Sequence, residues 1–290
     1  MLAVCRDASS AEPSFDIGPF RHLYPFASHV LDRGGLRYHY VDEGCGELVV
    51  MVHGNPTWSF FYRDLIGALC TGYRVVAPDH IGCGLSDKPG DGRYVYRLAS
   101  RVDDLGALLD HLGIERNVTL VLHDWGGAIG MAWAARHPER VARLVILNTA
   151  AFPLPSTKPL PWSLRIVRDF RAMGWIVQGL NAFARVAARV ATVKRLPADV
   201  RRAYLAPYDS WDHRIATLRF VQDIPLGPGD PSWPLLLEMH RGLARFRDTP
   251  ALVCWGERDF VFDEHFLRQW QLELPHAEIH RFPRAGHYVL

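Results

Sequence analysis

The stretch Leu122-His123-Asp124-Trp125-Gly126-Gly127 sets an ionisable side chain at a sharp corner. The apolar run Thr119 to Leu122 stops at Asp124, and the small or apolar residues Ala128 to Ala135 read as a helix. A strand that enters a helix through so tight a turn pushes its apex residue out of the sheet, as in the nucleophile elbow G-x-S-x-G. Two positions depart from that pattern. Leu122 stands in place of the first glycine, so that end of the turn is expected to be less crowded. Asp124 stands in place of serine, and a carboxylate, charged at neutral pH, attacks saturated carbon directly to leave an ester on the protein. Water must then cleave that ester, so a histidine and a second acid are needed further on. Taken alone, Asp124 reads equally well as a helix N-cap.

Asp259 and His287 meet that need. Asp124, Asp259 and His287 each follow an expected strand, in the order nucleophile, acid, base. This is the chain order of the α/β-hydrolase fold and of no other Ser-His-Asp architecture. In an open parallel sheet such strand ends share one edge, where ligands bind. The ordinary imidazole pKa of about 6.5 leaves His287 mostly neutral at pH 7, ready to activate water. Asp259 would fix its tautomer and stabilise the imidazolium. Asp263 is a nearby alternative acid. Asn148, at the end of another strand, holds a further acid position but carries no charge.

The loop after Val52 should face the elbow. Backbone N–H groups of Asn55 and Trp125 could form an oxyanion hole. Their side-chain amide and indole N–H groups are neutral donors that suit a leaving anion such as a halide. His53, Gly54, Asp79, Gly82 and Gly84 are assigned to loop shape, and no lysine follows Gly84-Leu85-Ser86 as a phosphate loop requires.

The elements that must position these residues are legible in order. Leu36, Tyr38 and Tyr40 alternate with polar residues, giving two strands over Ala27 to Asp42 with a turn at Arg33-Gly34-Gly35. Leu48 to Val52 is apolar throughout, as in a strand covered on both faces. Further strands are expected at Tyr73 to Ala77, Val118 to Leu122, Leu144 to Leu147, Ala251 to Trp255 and Ala277 to Phe282. Helices separate them, among them Leu98 to Leu112, Leu235 to Phe246 and Phe266 to Leu274. Strands alternating with helices indicate right-handed crossovers and a mostly parallel sheet. After Thr149 helical patterns dominate: Trp162 to Leu180, Ala182 to Val193, Pro197 to Leu205 and Arg214 to Val221. The expected organisation is a core over 1–150, an inserted helical cap over 151–230, and a second part of the core over 231–290. Trp162, Phe170, Trp175, Phe183, Trp211 and Phe220 could roof an apolar pocket, although most are expected to form the cap's own core. Residues 1–25 read as an extended lead-in.

The composition narrows the class. Of 290 residues, 49% are hydrophobic and 22% charged, which is ordinary for a globular protein. A formal charge of +2 argues against a nucleic-acid partner, and the arginines from Arg185 to Arg202 read as a solvated helix face. Cys5, Cys45, Cys70, Cys83 and Cys254 are odd in number and show no C-x-x-C spacing, so neither a disulfide framework nor a metal site is expected. Cys70 and Cys254 sit in apolar runs and read as small core residues. The start lacks an apolar signal region, and no run has the length to span a bilayer, so a cytoplasmic protein is expected. Nothing in the sequence asks for a cofactor.

His53-Gly54-Asn55-Pro56-Thr57-Trp58, Asp79 to Ser86, His123 to Gly127 and Ala285-Gly286-His287 together resemble the haloalkane dehalogenases of the α/β-hydrolase superfamily, over nearly the whole chain from about residue 28. The resemblance implies that Asp124 displaces halide, that His287 activates the hydrolytic water, and that Asn55 and Trp125 hold the halide. An acid at Asp259 with an Asn/Trp pair is similar to one branch, which also contains the β-lactone decarboxylases of bacterial long-chain olefin biosynthesis. Asn148 to Pro153 and Arg219 to Leu226 look particularly like those enzymes, in which the same Asp would open a strained lactone and loss of CO2 would leave an alkene. Elbow and triad cannot separate the two reactions. Either implies a small apolar substrate, and the second implies association with other olefin-biosynthesis enzymes. An epoxide hydrolase would need acidic phenols, for which Tyr204 and Tyr208 are the candidates, and a catalytically inactive binding protein is the reading from another class. Relatives continue past the point where this chain stops, three residues after His287, into a final helix, so that helix is expected to be missing and an apolar patch exposed where it would pack.

Overall fold

The computed structural model describes residues 15–290. Cys5 and most of the expected lead-in lie outside these residues. The first two strands, β1 (His29–Asp32) and β2 (Arg37–Glu43), pair antiparallel around a turn in which Gly34 and Gly35 have positive φ. Leu36, Tyr38 and Tyr40, the alternating residues, are all buried. Four further strands are β3 (Glu47–Val52), β4 (Tyr73–Pro78), β5 (Val118–Asp124) and β6 (Val141–Thr149). β7 (Ala251–Gly256) and β8 (Glu278–Phe282) complete one sheet of order β1-β2-β4-β3-β5-β6-β7-β8. From β4 to β8 every pairing is parallel, whereas β2 joins β4 antiparallel. The core is therefore the expected α/β-hydrolase sheet, with its strand ends sharing one edge.

Helices cover both faces. They are α1 (Arg63–Leu69), α2 (Leu98–His111) and α3 (Trp125–Arg136) in the first part, and α9 (Trp233–Gly242) and α10 (Glu264–Glu273) in the last. Val50, Val52, Leu120 and Leu122 pack under α2 and α3, whereas Val49, Met51 and Val121 join the opposite cluster with Ile66 and Tyr62. Burial on both faces accounts for the unbroken apolar run of β3.

Between β6 and α9 the regular elements of the described chain are all helical: α4 (Trp162–Asp169), α5 (Arg171–Leu180), α6 (Ala182–Val190), α7 (Ala198–Leu205) and α8 (Ile215–Gln222). The single helix expected over Trp162 to Leu180 is two helices, broken where Phe170 is extended (φ −105°, ψ 110°). The cysteines also differ from expectation. Cys70 and Cys254 are half-buried, and among the described cysteines Cys83 is the buried one.

One face of β6, β7 and β8 lacks a covering helix among the described residues. The strand register places Val145, Leu252 and Cys254, all half-buried, on that face beside the exposed Glu278, His280 and Phe282. The patch is apolar on β6 and β7 and mostly polar on β8. Among the described residues no helix is long and apolar enough to cross a membrane.

Candidate active site

Asp124 closes β5 and has φ 50° and ψ −127°, a backbone conformation costly for a residue with a side chain. The corner is held on three sides. The Thr149 hydroxyl donates to the Asp124 carbonyl. Gly54 lies so close that an added Cβ would sit 2.2 Å from Asp124 Oδ1, so only glycine fits there. Leu122 does not loosen the turn as expected: it is fully buried, and Gly130 of α3 makes room for it, a Cβ there falling 2.3 Å from a Leu122 methyl. Asp124 makes no side-chain cap to α3. Its carboxylate faces the other way, with Oδ1 accepting the Asn55 backbone N–H at 2.6 Å and Oδ2 3.4 Å from His287 Nε2.

His287 Nδ1 lies 2.7 Å from Asp259 Oδ2, and Asp259 Oδ1 accepts the Val261 N–H at 2.7 Å. The structure thus brings Asp124, His287 and Asp259 together from three strand ends. The loops after β7 and β8 cross at Gly256, where an added Cβ would sit 2.2 Å from the Gly286 carbonyl. Asn148 fills the other acid position as a clip. Its Nδ2 donates to the Gly256 carbonyl and its Oδ1 accepts the Gly256 N–H, at 3.0 and 2.7 Å, which ties β6 to the exit of β7. Asp263, the alternative acid, caps α10 and pairs with Lys158 instead.

The protonation state of His287 differs from the sequence expectation. Burial works against its charge, but the carboxylates of Asp259 and Asp124 outweigh burial and raise it to about 10. In the free protein it is an imidazolium, not a neutral base. Burial would likewise raise the Asp124 carboxyl, yet His287, His123 and the Asn55 N–H hold it below its usual value. One imidazolium between two carboxylates leaves a net charge of −1, and the three groups lie within hydrogen-bonding range in a buried site.

His123 takes part in a way the sequence did not reveal. Its Nε2 lies 2.8 Å from the backbone carbonyl of His287, so Nε2 carries the proton and donates. Burial and the nearby His287 lower its pKa to about 3, so it stays neutral. Its ring stacks on Phe61 with centroids 4.2 Å apart. The only prior signal was its place beside Asp124 in the elbow motif.

Above the carboxylate lies a cavity of about 870 Å³. Asn55, Asp124, Trp125 and His287 bring polar groups to the β5 end, and α4, α5 and α6 supply side chains that are apolar except for Ser163. Asp124 is the one carboxylate among the lining residues. Asn55 Nδ2 donates one N–H to the Thr217 carbonyl at 3.0 Å, leaving the other available. Trp125 packs against Phe220, under which the buried Arg101 guanidinium lies 3.6 Å from the ring centroid. Tyr204 and Tyr208 do not line the cavity. Both are buried, the first with its hydroxyl near Arg63 and the second near the Thr57 carbonyl. Burial raises Tyr204 to about 12, and among the described residues no tyrosine lines the cavity as an epoxide hydrolase would need. Asp79 is buried in its loop and accepts the Ser59 and Leu85 N–H groups, the shaping role expected of it. Among the described residues no cluster of His, Cys, Asp and Glu could hold a metal ion.

The chain resembles known proteins along most of its length. A family model described as the alpha/beta hydrolase fold matches residues 47–290. A cis-3-alkyl-4-alkyloxetan-2-one decarboxylase of Shewanella oneidensis is 56% identical over 270 residues, covering 92% of this chain and 85% of the relative. A protein of the same description from Xanthomonas campestris pv. campestris is 51% identical over 275 residues, covering 92% of each. Haloalkane dehalogenase 2 of Mycobacterium bovis is 33% identical over 278 residues, covering 95% and 94%. Among solved structures, the haloalkane dehalogenase DatA of Agrobacterium tumefaciens C58 superposes with a TM-score of 0.80 at 28% identity, over 91% of this chain and 90% of that one.

Proposed function

The chain belongs to the α/β-hydrolase family and is related to its haloalkane dehalogenases, and on that premise we propose that it opens a cis-3,4-dialkyl β-lactone through an Asp124 ester and releases an alkene and CO2. The carrying observation is one carboxylate at the end of an apolar cavity, its Oδ1 held by the Asn55 N–H and its Oδ2 3.4 Å from His287. With Oδ1 held, Oδ2 attacks the ring carbon that bears the ring oxygen. That C–O bond breaks, its electron pair becomes the substrate carboxylate, and the attacked carbon is inverted. The bond from the neighbouring carbon to that carboxylate then breaks. CO2 departs, the electron pair becomes the C=C bond, and Asp124 leaves with the pair of its ester bond. Inversion followed by departure from opposite sides converts a cis ring into a cis alkene. No water is consumed. Two relatives at 56% and 51% identity, each described as a cis-3-alkyl-4-alkyloxetan-2-one decarboxylase, support the substrate class. A cavity near the upper end of the usual range of about 300–1,000 Å³ suits two alkyl chains. The helical segment 151–230 acts as a cap over the site, between core parts 1–150 and 231–290. Asp259 fixes the orientation of His287, whose charge faces the carboxylate released by ring opening. Association with the enzyme that closes the lactone ring belongs to the same proposal.

The second reading is carbon–halogen hydrolysis, favoured by the free N–H of Asn55 beside Trp125 at the carboxylate. There the halide leaves to Asn55 and Trp125. Esterified Asp124 no longer carries charge, His287 loses one of its two carboxylates, its pKa falls, and it becomes the base for water.

The test offers a cis-β-lactone and a bromoalkane in parallel and follows alkene and bromide. Alkene with negligible bromide supports the first reading, bromide without alkene transfers the assignment to the second, and neither product overturns both. Asp124→Asn must abolish turnover. Turnover surviving that change would remove the ester mechanism and leave a binding protein as the better description.

A further inference from the structure

Helices α4 to α6 line the cavity on one side and leave large apolar side chains exposed on the other. Trp162, Phe170 and Trp175 are 76%, 62% and 72% exposed, and Leu180, Val186 and Val190 are exposed with them. The expectation that the cap's aromatic rings mostly form its own core fails here: Phe220 is buried, but Trp162, Phe170 and Trp175 face solvent. Scattered apolar residues need no explanation, but an apolar face over successive helices does. Trp162, Ile176, Val186 and Val190 are exposed and also line the large cavity, so the cavity opens through this face.

The charge around the face is mostly positive, although Arg165 and Arg168 are paired with Asp169 and Asp230. Residues 162–202 carry nine Arg or Lys and two Asp, a formal +7, whereas the whole chain is +2, so the remainder is −5. On α6 Arg185 and Arg189 alternate with Val186 and Val190, all four exposed. Arg185, Arg189 and Lys194 have no ion-pair partner among the described residues. Long basic side chains beside apolar ones let the stems lie on hydrocarbon while the charges reach headgroups. A recess of about 450 Å³ behind α6 is lined by Arg189, Arg195, Arg201 and Thr192, and the buried Thr192 hydroxyl has no partner. Three guanidinium groups and an unused hydroxyl suit a phosphate headgroup.

We propose that the face formed by α4, α5 and α6 docks on an anionic phospholipid surface, with the cavity mouth turned toward the bilayer. A neutral apolar partner would leave Arg185, Arg189 and Lys194 without a counterpart, whereas an anionic lipid surface satisfies both halves of the patch. Docking rests on this surface alone. That it delivers a long-chain lactone from lipid to Asp124 rests on the proposed reaction.

The test sediments the full chain with vesicles of phosphatidylcholine alone and of phosphatidylcholine with an equal share of phosphatidylglycerol. Binding to the mixed vesicles, weak binding to the neutral ones, and release by salt are expected. Phe170→Glu with Trp175→Glu should lower binding roughly tenfold or more. Arg185→Glu with Arg189→Glu should remove the preference for anionic lipid. None of the four residues lines the cavity, so both pairs should keep wild-type turnover of a short-chain, water-soluble substrate, which also reports that they fold. Equal affinity for both vesicles, no affinity for either, or a lipid-independent dimer that Trp175→Glu dissolves would each overturn the proposal. Vesicle binding by a protein that turns over no lactone would instead sink the reaction and leave the docking in place.

Discussion

The His123 imidazole holds the backbone of His287, not its side chain: Nε2 of the first donates to the carbonyl of the second across 2.8 Å. The hydrogen bond runs between the elbow strand β5 and the loop after β8, so the ring that faces Asp124 is anchored from the elbow itself. A positioning residue of this kind sets the distance between Asp124 and His287 without touching substrate.

His123→Phe keeps the stack on Phe61 but removes the donor. The orphaned carbonyl should cost about 1–3 kcal/mol, read as a lower melting temperature. A shift of His287 by about 1 Å should lower kcat on the order of 100-fold with little change in KM. His123→Gln, which can still donate, should recover part of kcat. A His123→Phe protein with unchanged kcat would show that the bond is structural only.

Asp259 is one of the two carboxylates that face the His287 imidazolium, and it accepts the Nδ1–H. Asp259→Asn leaves the shape of the site and should drop the His287 pKa from about 10 toward its ordinary range. Loss of the correct tautomer costs about 10⁴-fold in the serine-protease template. A loss of at least about 100-fold is expected here for any step that needs the orientation of His287, with the pKa followed by NMR of the imidazole. An unshifted His287 resonance would mean that Asp124 alone sets its charge.

The raised pKa of His287 makes stability depend on pH. Folded at about 10 and unfolded near 6.5, this histidine binds more protons in the native state between those values. Its stabilisation is fully present below about pH 6.5 and is lost progressively as pH rises toward 10. Asp124, lowered in the fold, acts at the other end and loses its contribution as pH falls through its native pKa. Chemical denaturation from pH 6 to pH 10 should show a decline that flattens in His287→Gln. A decline of equal slope in that variant would place its origin elsewhere.

Arg101 and Asp223 should respond unequally to removal. Arg101 is fully buried against Phe220 and 3.6 Å from Asp223, and its guanidinium has no hydrogen bond among the described residues. Asp223 accepts from Arg97, the Leu98 N–H and Ser232. Arg101→Met replaces a buried charge by hydrocarbon and should be near neutral in melting temperature or stabilising. Asp223→Ala strips three donors and leaves Arg101 unpaired, which should cost about 3–5 kcal/mol. Equal losses from the two changes would mean that Arg101 and Asp223 stand or fall as a pair.

Local pattern determined the frame. Apolar runs of strand length, helical spacing and a charged residue at a strand end are properties of neighbouring residues, so β3, β5, β7, the elbow, and the order Asp124, Asp259, His287 could be read directly from the chain. The same local logic placed Asn148 at a strand end and correctly denied it a charge. Tertiary structure decided what depends on distances between remote residues. Two carboxylates, 135 positions apart in the chain, meet one imidazole and make it a cation, which no reading of His287 alone could supply. Leu122 fits the turn because Gly130, a turn of helix away on α3, gives way to it. Helical periodicity also says which residues share a face but not whether another layer covers that face. Trp175 could therefore be read as core, whereas the fold leaves it largely exposed, with the Trp211 ring as its one ring contact among the described residues. Burial and charge state are set by the sum of all surrounding groups, and that sum exists only once the chain has closed on itself.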